Sequence, residues 1–125
     1  MIFGIGTDIV EVSRIETSIA QFGDDFAKRI LATSEFTSYQ QSQIKARFLA
    51  KRFAAKEAFS KALGTGLRAP ATFQNIVVSH DDLGKPILIL AAELQSLLNS
   101  KNITQTHISI SDEKNLAAAF VVLET

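Results

Sequence analysis

The first ten residues alternate. Phe3, Ile5, Thr7 and Ile9 fall on one face of an extended segment over Ile2–Val10, and Gly4, Gly6 and Asp8 fall on the other, which predicts a strand. Two glycines on one face leave it bare, so another element or a ligand can approach the backbone closely there. The period then changes. Ser13 and Glu16 have the S-x-x-E spacing of a capping box, which predicts a helix from about Arg14. Shorter helices are expected over Asp25–Leu31 and from a cap at Thr33 or Ser34 towards Tyr39, with Phe22 and Phe26 as core residues one turn apart. The clearest helical pattern runs from Gln43 to Leu63, without Gly or Pro and with a stripe of Ile44, Phe48, Ala55, Phe59 and Leu63. Gly64-Thr65-Gly66 ends it, Gly64 suiting the left-handed position after a helix.

Strands are expected at Phe73–Ser79 and Pro86–Leu90 around the turn-rich DDLGK, followed by a helix over Ala91–Ser100. His107–Ser111 and Leu116–Leu123 then form a hairpin around Asp112-Glu113-Lys114-Asn115. The chain has no internal repeat, linker or low-complexity tract. The order of elements is α+β in one compact unit.

At 125 residues the chain is expected to be one domain with a real core. It has no cysteine, which excludes a disulfide scaffold, a thiolate metal site and a cysteine nucleophile and is compatible with the cytosol. The N-terminal residues lack the basic region and long apolar run of a signal peptide, and no apolar run approaches the roughly 18 residues of a membrane span, so no membrane association is expected. Formal net charge is zero, so nothing global points to nucleic acid. The charge is uneven, however. Between Lys45 and Arg68 there are seven basic residues and one acid, Glu57. Such a local basic patch suits phosphates or an acidic protein surface.

That one acid is the first candidate for chemistry. On a helical wheel Glu57 neighbours Ala50, Phe53 and Ala54, and apolar residues surround most of the helix, the pattern of an element packed on several sides. A carboxylate in such a place needs a cation or strong hydrogen bonds. The same residues also fit an ordinary i, i+4 surface pair of Glu57 with Lys61, worth about 0.3–0.5 kcal/mol. Asp8, on the bare glycine face, is the second candidate, or else a plain strand-end residue. Should the two carboxylates converge, they suit Mg²⁺, which takes one or two carboxylates plus phosphates and waters. Lys61, Arg52 and the Gly64-Thr65-Gly66 loop are then placed for phosphates. His80 and His107 lie on or beside strands and read as structural or exposed.

"GIGTDIVEVSRIE" followed by "RFAAKEAFSKALGTG" resembles the holo-[acyl-carrier-protein] synthases, the short type of 4′-phosphopantetheinyl transferase. The resemblance extends over essentially the whole chain, through "DLGKP" and the C-terminal "HISIS…AAAFVVLE". It implies a long central helix packed on a mainly antiparallel sheet. The implied reaction moves the phosphopantetheine arm of coenzyme A onto a serine of an apo acyl carrier protein. By motif match Asp8 and Glu57 are the Mg²⁺ ligands, and Lys61 contacts the phosphates and assists the leaving group. Arg14 matches the arginine that binds the acidic carrier, with Lys28 and Arg29 extending that surface. Gly64, Thr65, Gly66 and Pro86 match positions that shape the coenzyme A pocket, to which Ser109 is also assigned. The family forms cytoplasmic homotrimers with sites at subunit interfaces. Many members carry histidine where this chain has Asp112, and an aspartate does not take over a cationic phosphate contact. The general base stays open among Glu57, a metal-bound water and another carboxylate such as Glu35.

Two other readings use the same residues. One is a different Mg²⁺-dependent phosphoryl-transfer or hydrolytic enzyme. The other is a non-catalytic module that binds an acidic protein through Arg14 and Lys28.

Overall fold

The computed structural model describes all 125 residues. A first strand, β1 (Ile2–Glu11), leads into helices α1 (Val12–Phe22), α2 (Asp24–Ile30), α3 (Thr33–Gln41) and the long α4 (Lys45–Leu63). A short 3₁₀ turn (Phe73–Asn75) precedes β2 (Ile76–His80) and β3 (Pro86–Leu90); α5 (Ala92–Ser100), β4 (Gln105–Asp112) and β5 (Leu116–Glu124) complete the chain. The strands form two antiparallel sheets, one ordered β1-β5-β4 and one made of β2 and β3. The α+β order with a central helix on antiparallel sheets is the expected architecture.

The glycines of β1 explain how α4 comes to lie on the larger sheet. A Cβ on Gly4 would sit 2.0 Å from the carbonyl oxygen of Ala62, and one on Gly6 would sit 2.0 Å from that of Ala58. Neither backbone atom can yield to a side chain, so only glycine lets strand and helix approach this closely. Opposite them α4 offers small residues, with Ala54, Ala58 and Ala62 all buried. Asp8 continues the glycine face one step further, paired with Ala119 of β5. The helix is enclosed on several sides, as its all-round apolar pattern predicts, and its Leu49, Phe59 and Leu63 join Ile76, Leu94, Val121 and Leu123 in one core.

The other face of β1 is open. Ile5 and Ile9 are 59% and 67% exposed, and Phe120 beside them on β5 is 46% exposed. The alternating apolar pattern therefore marks an outward face, and the bare face is the packed one.

Several boundaries differ from expectation. β1 runs without a break to Glu11, so α1 begins at Val12 and Ser13 lies inside it; no capping box forms, and the Val12 N–H donates instead to the Asn115 carbonyl at 2.9 Å. Neither Thr33 nor Ser34 caps α3. The residue before the helix is Ala32, whose N–H donates to Glu35 Oε1 at 2.9 Å. Phe73 opens a 3₁₀ turn rather than a strand. Ile44 precedes α4 and is half exposed, as is Phe22, so neither belongs to the core.

One polar cluster is buried. Lys56 is wholly enclosed, and its ammonium donates to Glu35 Oε1 at 2.5 Å, to the Ile30 carbonyl at 2.7 Å and to the Phe73 carbonyl at 2.9 Å. Glu35 Oε2 accepts the Val78 N–H at 3.0 Å and lies 3.3 Å from Arg52 Nε. Burial lowers the Lys56 pKa, and the Glu35 charge opposes that shift. All three ammonium protons have acceptors, which is what makes a buried lysine tolerable. This cluster ties α2, α3, α4, the 3₁₀ turn and β2 together.

Candidate functional site

Where β1 passes over the C-terminal half of α4, three of the singled-out residues meet. Lys61 Nζ lies 3.2 Å from Asp8 Oδ1 and donates to the Thr7 carbonyl at 2.9 Å. Lys61 is therefore partnered across to the strand, and the simple i, i+4 pair with Glu57 does not form. Glu57 is half-buried, one turn before Lys61. Burial first, and then the charge of Asp8, push its carboxyl above the usual pKa, while Lys61 pulls the other way. Two acids thus repel one another across the β1–α4 contact with one half-exposed lysine between them.

No group of three or more His, Asp and Glu side chains converges anywhere in the chain. A cation here would have two carboxylates from the protein and take its other ligands from phosphates and water, the usual arrangement for Mg²⁺. The donor set fits: hard oxygens, partly withdrawn from solvent, whose mutual repulsion a divalent ion relieves.

The loop after α4 has a narrower role than its glycines suggest. Gly64 takes the left-handed conformation at φ 85°, and its N–H donates to the Ser60 and Lys61 carbonyls at 3.0 and 3.1 Å. The Gly66 N–H returns to Ser60 as well, at 3.3 Å. These two amides close the helix and do not face outward. Thr65, whose hydroxyl donates to the Gly66 carbonyl at 2.8 Å, is the loop's side chain with polar reach.

Arg14 lies close by. It lines a groove of about 260 Å³ together with Asp8, Ile9, Ile15, Phe26 and Phe53. Lys28 and Arg29 are exposed on α2, Lys28 over the Phe36 ring and Arg29 over the Phe22 ring, and Lys28 borders a different groove.

Arg52 does not join Lys61. It points to another side of α4, buried against Glu35 with its guanidinium 3.9 Å from the Phe48 ring centroid. The wheel carries the signal, since five residues place Arg52 and Glu57 about 140° apart. Arg52 instead borders a pocket of about 160 Å³ with Lys51, His80, Gly84, Pro86, Ile110 and Asp112. Pro86 also borders a larger groove of about 500 Å³, shared with Lys85, His107, Ser109, Phe120 and Val122. Glu35 is excluded as a general base, because both its oxygens are committed to the buried Lys56 cluster. Sequence reasoning missed Phe26 and Phe53 beside Asp8, Lys51 and His80 in the basic pocket, and the partner of Asp112, which is Arg47 at 2.6 Å. The crowding of Arg47, Lys51 and Arg52 within six residues was the available sign of the pocket.

Comparison with known proteins bears on the chain as a whole. The profile of the 4′-phosphopantetheinyl transferase superfamily matches residues 4–121. A holo-[acyl-carrier-protein] synthase of Nitrosomonas europaea is 54% identical over 124 residues, covering 99% of each chain. The crystal structure of holo-[acyl-carrier-protein] synthase from Neisseria meningitidis superposes with a TM-score of 0.97 at 46% identity, over 100% of both chains. That of the Bacillus anthracis synthase, in complex with CoA (3′,5′-ADP), gives 0.83 at 43% identity, over 100% of this chain and 98% of the other. With the family profile matched over residues 4–121, relatives more than half identical along the whole chain, and the whole fold in common, the chain belongs to the 4′-phosphopantetheinyl transferase superfamily, among the holo-[acyl-carrier-protein] synthases.

Proposed function

We propose that the 125 residues act as one transferase domain in which Asp8 and Glu57 hold a Mg²⁺ ion and Lys61 handles the phosphates. The reaction is that of the family: a serine hydroxyl of apo acyl carrier protein attacks the phosphorus that carries the pantetheine arm of coenzyme A. The new bond is serine oxygen to phosphorus; the bond that breaks is the one from that phosphorus to the bridging oxygen of the diphosphate. The hydroxyl loses its proton, and adenosine 3′,5′-bisphosphate leaves. The observation that carries this reading is the meeting of Asp8, Glu57 and Lys61 where the glycine face of β1 presses on α4.

The ion, when bound, neutralises charge on the diphosphate and on the leaving group. Asp8 and Glu57 fix its place through two rigid elements, a strand centre and a mid-helix position. Lys61 is more mobile, with its side chain 53% exposed. Its ammonium, beside both proposed ligands, would donate to the departing phosphate. Arg14, Phe26 and Phe53 border the same groove as Asp8, a cation and two aromatic rings that suit the acidic carrier and the arm it receives. Lys28 and Arg29 extend the positive surface.

Arg52, Pro86 and Ser109 belong to the coenzyme pocket of a neighbouring copy in this reading. One chain turns them away from Asp8, and the exposed apolar face of Ile5, Ile9 and Phe120 provides a surface for assembly into a trimer with a site at each interface. A cytoplasmic setting accords with these substrates, and no helix is long and apolar enough to cross a membrane.

The test mixes the protein with Mg²⁺, coenzyme A and a competent apo carrier, then weighs the carrier. The expected result is a gain of one phosphopantetheine, with turnover falling ~10³-fold in Asp8→Ala and Glu57→Ala. Cleavage of coenzyme A without a carrier would favour a hydrolase, and binding of the carrier without any mass gain would favour a non-catalytic module.

A further inference from the structure

The basic pocket beside Pro86 contains a single acid, and that acid is already in use. Asp112, the last residue of β4, holds Arg47 of the first turn of α4, with Oδ2 2.6 Å from Nη2. Both side chains are partly buried, and the buried Arg47 Nε has no partner. Lys51, one turn along α4, has no ion pair, and Arg52 is matched by Glu35. His80 reports the local field: burial first, then the charges of Arg52 and Lys51, hold its pKa below the usual value, against the pull of Asp81. With Asp112 ionised, Lys51 is the one unmatched cation. Without Asp112, Arg47 would be unmatched too.

A pocket of about 160 Å³ with this charge suits one phosphate-sized anion. An incoming dianion competes with Asp112 for the Nη2 end of the same guanidinium, the Nε being enclosed and out of its reach. We propose that Arg47 is a further phosphate contact of the coenzyme site, and that Asp112 is its built-in counter-ion, which occupies Arg47 in the ligand-free chain and weakens binding of a phosphate monoester. The inference rests on the reading above, in which this pocket receives coenzyme A, whose ribose carries the monoester. Because substrate and product share that group, the weakening acts on both. It therefore alters KM and product release and leaves the chemical step alone.

The test measures adenosine 3′,5′-bisphosphate and adenosine 5′-monophosphate binding by calorimetry in the wild type, Asp112→Asn and Arg47→Met, with melting curves to show that each variant is folded. Asp112→Asn keeps an oxygen for Arg47 but removes the charge. It is expected to bind the bisphosphate roughly three- to fivefold tighter and the monophosphate unchanged, and to lower KM for coenzyme A with the single-turnover rate of the bound substrate unaltered. Arg47→Met should weaken the bisphosphate roughly tenfold and spare the monophosphate. An unchanged ratio of the two affinities in folded Asp112→Asn overturns the proposal, as does equal weakening of both ligands in Arg47→Met. In either case carrier transfer would still proceed, and the transferase reading would stand. A wild type that binds no bisphosphate overturns both.

Discussion

Lys56 and Glu57 are neighbours in sequence and opposites in circumstance. Lys56 is sealed among Glu35, Ile30 and Phe73, with every proton accepted. Glu57 stands half-open, its pKa raised by burial first and then by a second acid beside it, while the nearby lysine goes to the strand instead. One turn of helix thus carries a completed charge cluster and an incomplete one. The completed cluster holds five elements in place. The incomplete one has charge left over for a ligand, and it can remain so because the neighbouring cluster and the glycine contact fix the backbone around it.

The sharpest way to break this contrast is to open the completed cluster. Lys56→Met leaves the buried Glu35 carboxylate with Arg52 as its one remaining cation and should cost about 3 kcal/mol of stability in denaturant unfolding. Adding Glu35→Gln, which keeps an acceptor for the Val78 N–H, should recover a large part of the loss. If Lys56→Met unfolds at the wild-type midpoint, the cluster is not what holds the helix. Glu57→Gln should by contrast leave the midpoint near or above the wild-type value in metal-free buffer, because it removes repulsion with Asp8.

The two faces of β1 allow a second test. Gly6→Ala forces a Cβ against the Ala58 carbonyl and should cost at least ~1–3 kcal/mol, while displacing Asp8 from α4 and depressing turnover. Ile5→Ala, one residue away on the exposed face, should leave catalytic geometry intact and show its effect in the assembly state, read by sedimentation. Equal effects of the two substitutions on unfolding would contradict the assignment of faces.

How legible these features are depends on the reach of the interaction. The bare face of β1 is readable because alternation is a local property, and it predicts a close approach without naming α4 as the element that makes it. The all-round apolar pattern of α4 likewise predicts several packing partners. Glu35 is a different matter: its bonds to Lys56 and to Val78 span 21 and 43 residues, and a periodic pattern carries no such pairing. Arg52 was grouped with Lys61 by proximity in sequence, although the helical wheel separates them. The capping box at Ser13 failed because the β1 pairing with β5 persists to Glu11, and that tertiary pairing overrides a local preference.

The smallest expected effect lies at the basic pocket. His80 has a folded pKa below its unfolded value, so the folded chain binds fewer protons than the unfolded chain in the window just below the ordinary histidine pKa. Its contribution to stability is present above that window and is lost as pH falls through it. The slope should be absent in His80→Asn. Ring resonances followed by NMR should titrate below the ordinary histidine range, and inorganic phosphate in the pocket should move them upward. A wild-type titration in the ordinary range would remove the positive field from the account.

The central claim is that Asp8 and Glu57 together hold the cation that binds the coenzyme's diphosphate. It is tested most directly by calorimetric binding of coenzyme A with and without Mg²⁺, in the wild type and in folded Asp8→Asn/Glu57→Gln. The account predicts that Mg²⁺ tightens wild-type binding at least roughly tenfold and leaves the double variant's affinity unchanged. Equal Mg²⁺ dependence in the two proteins would contradict it.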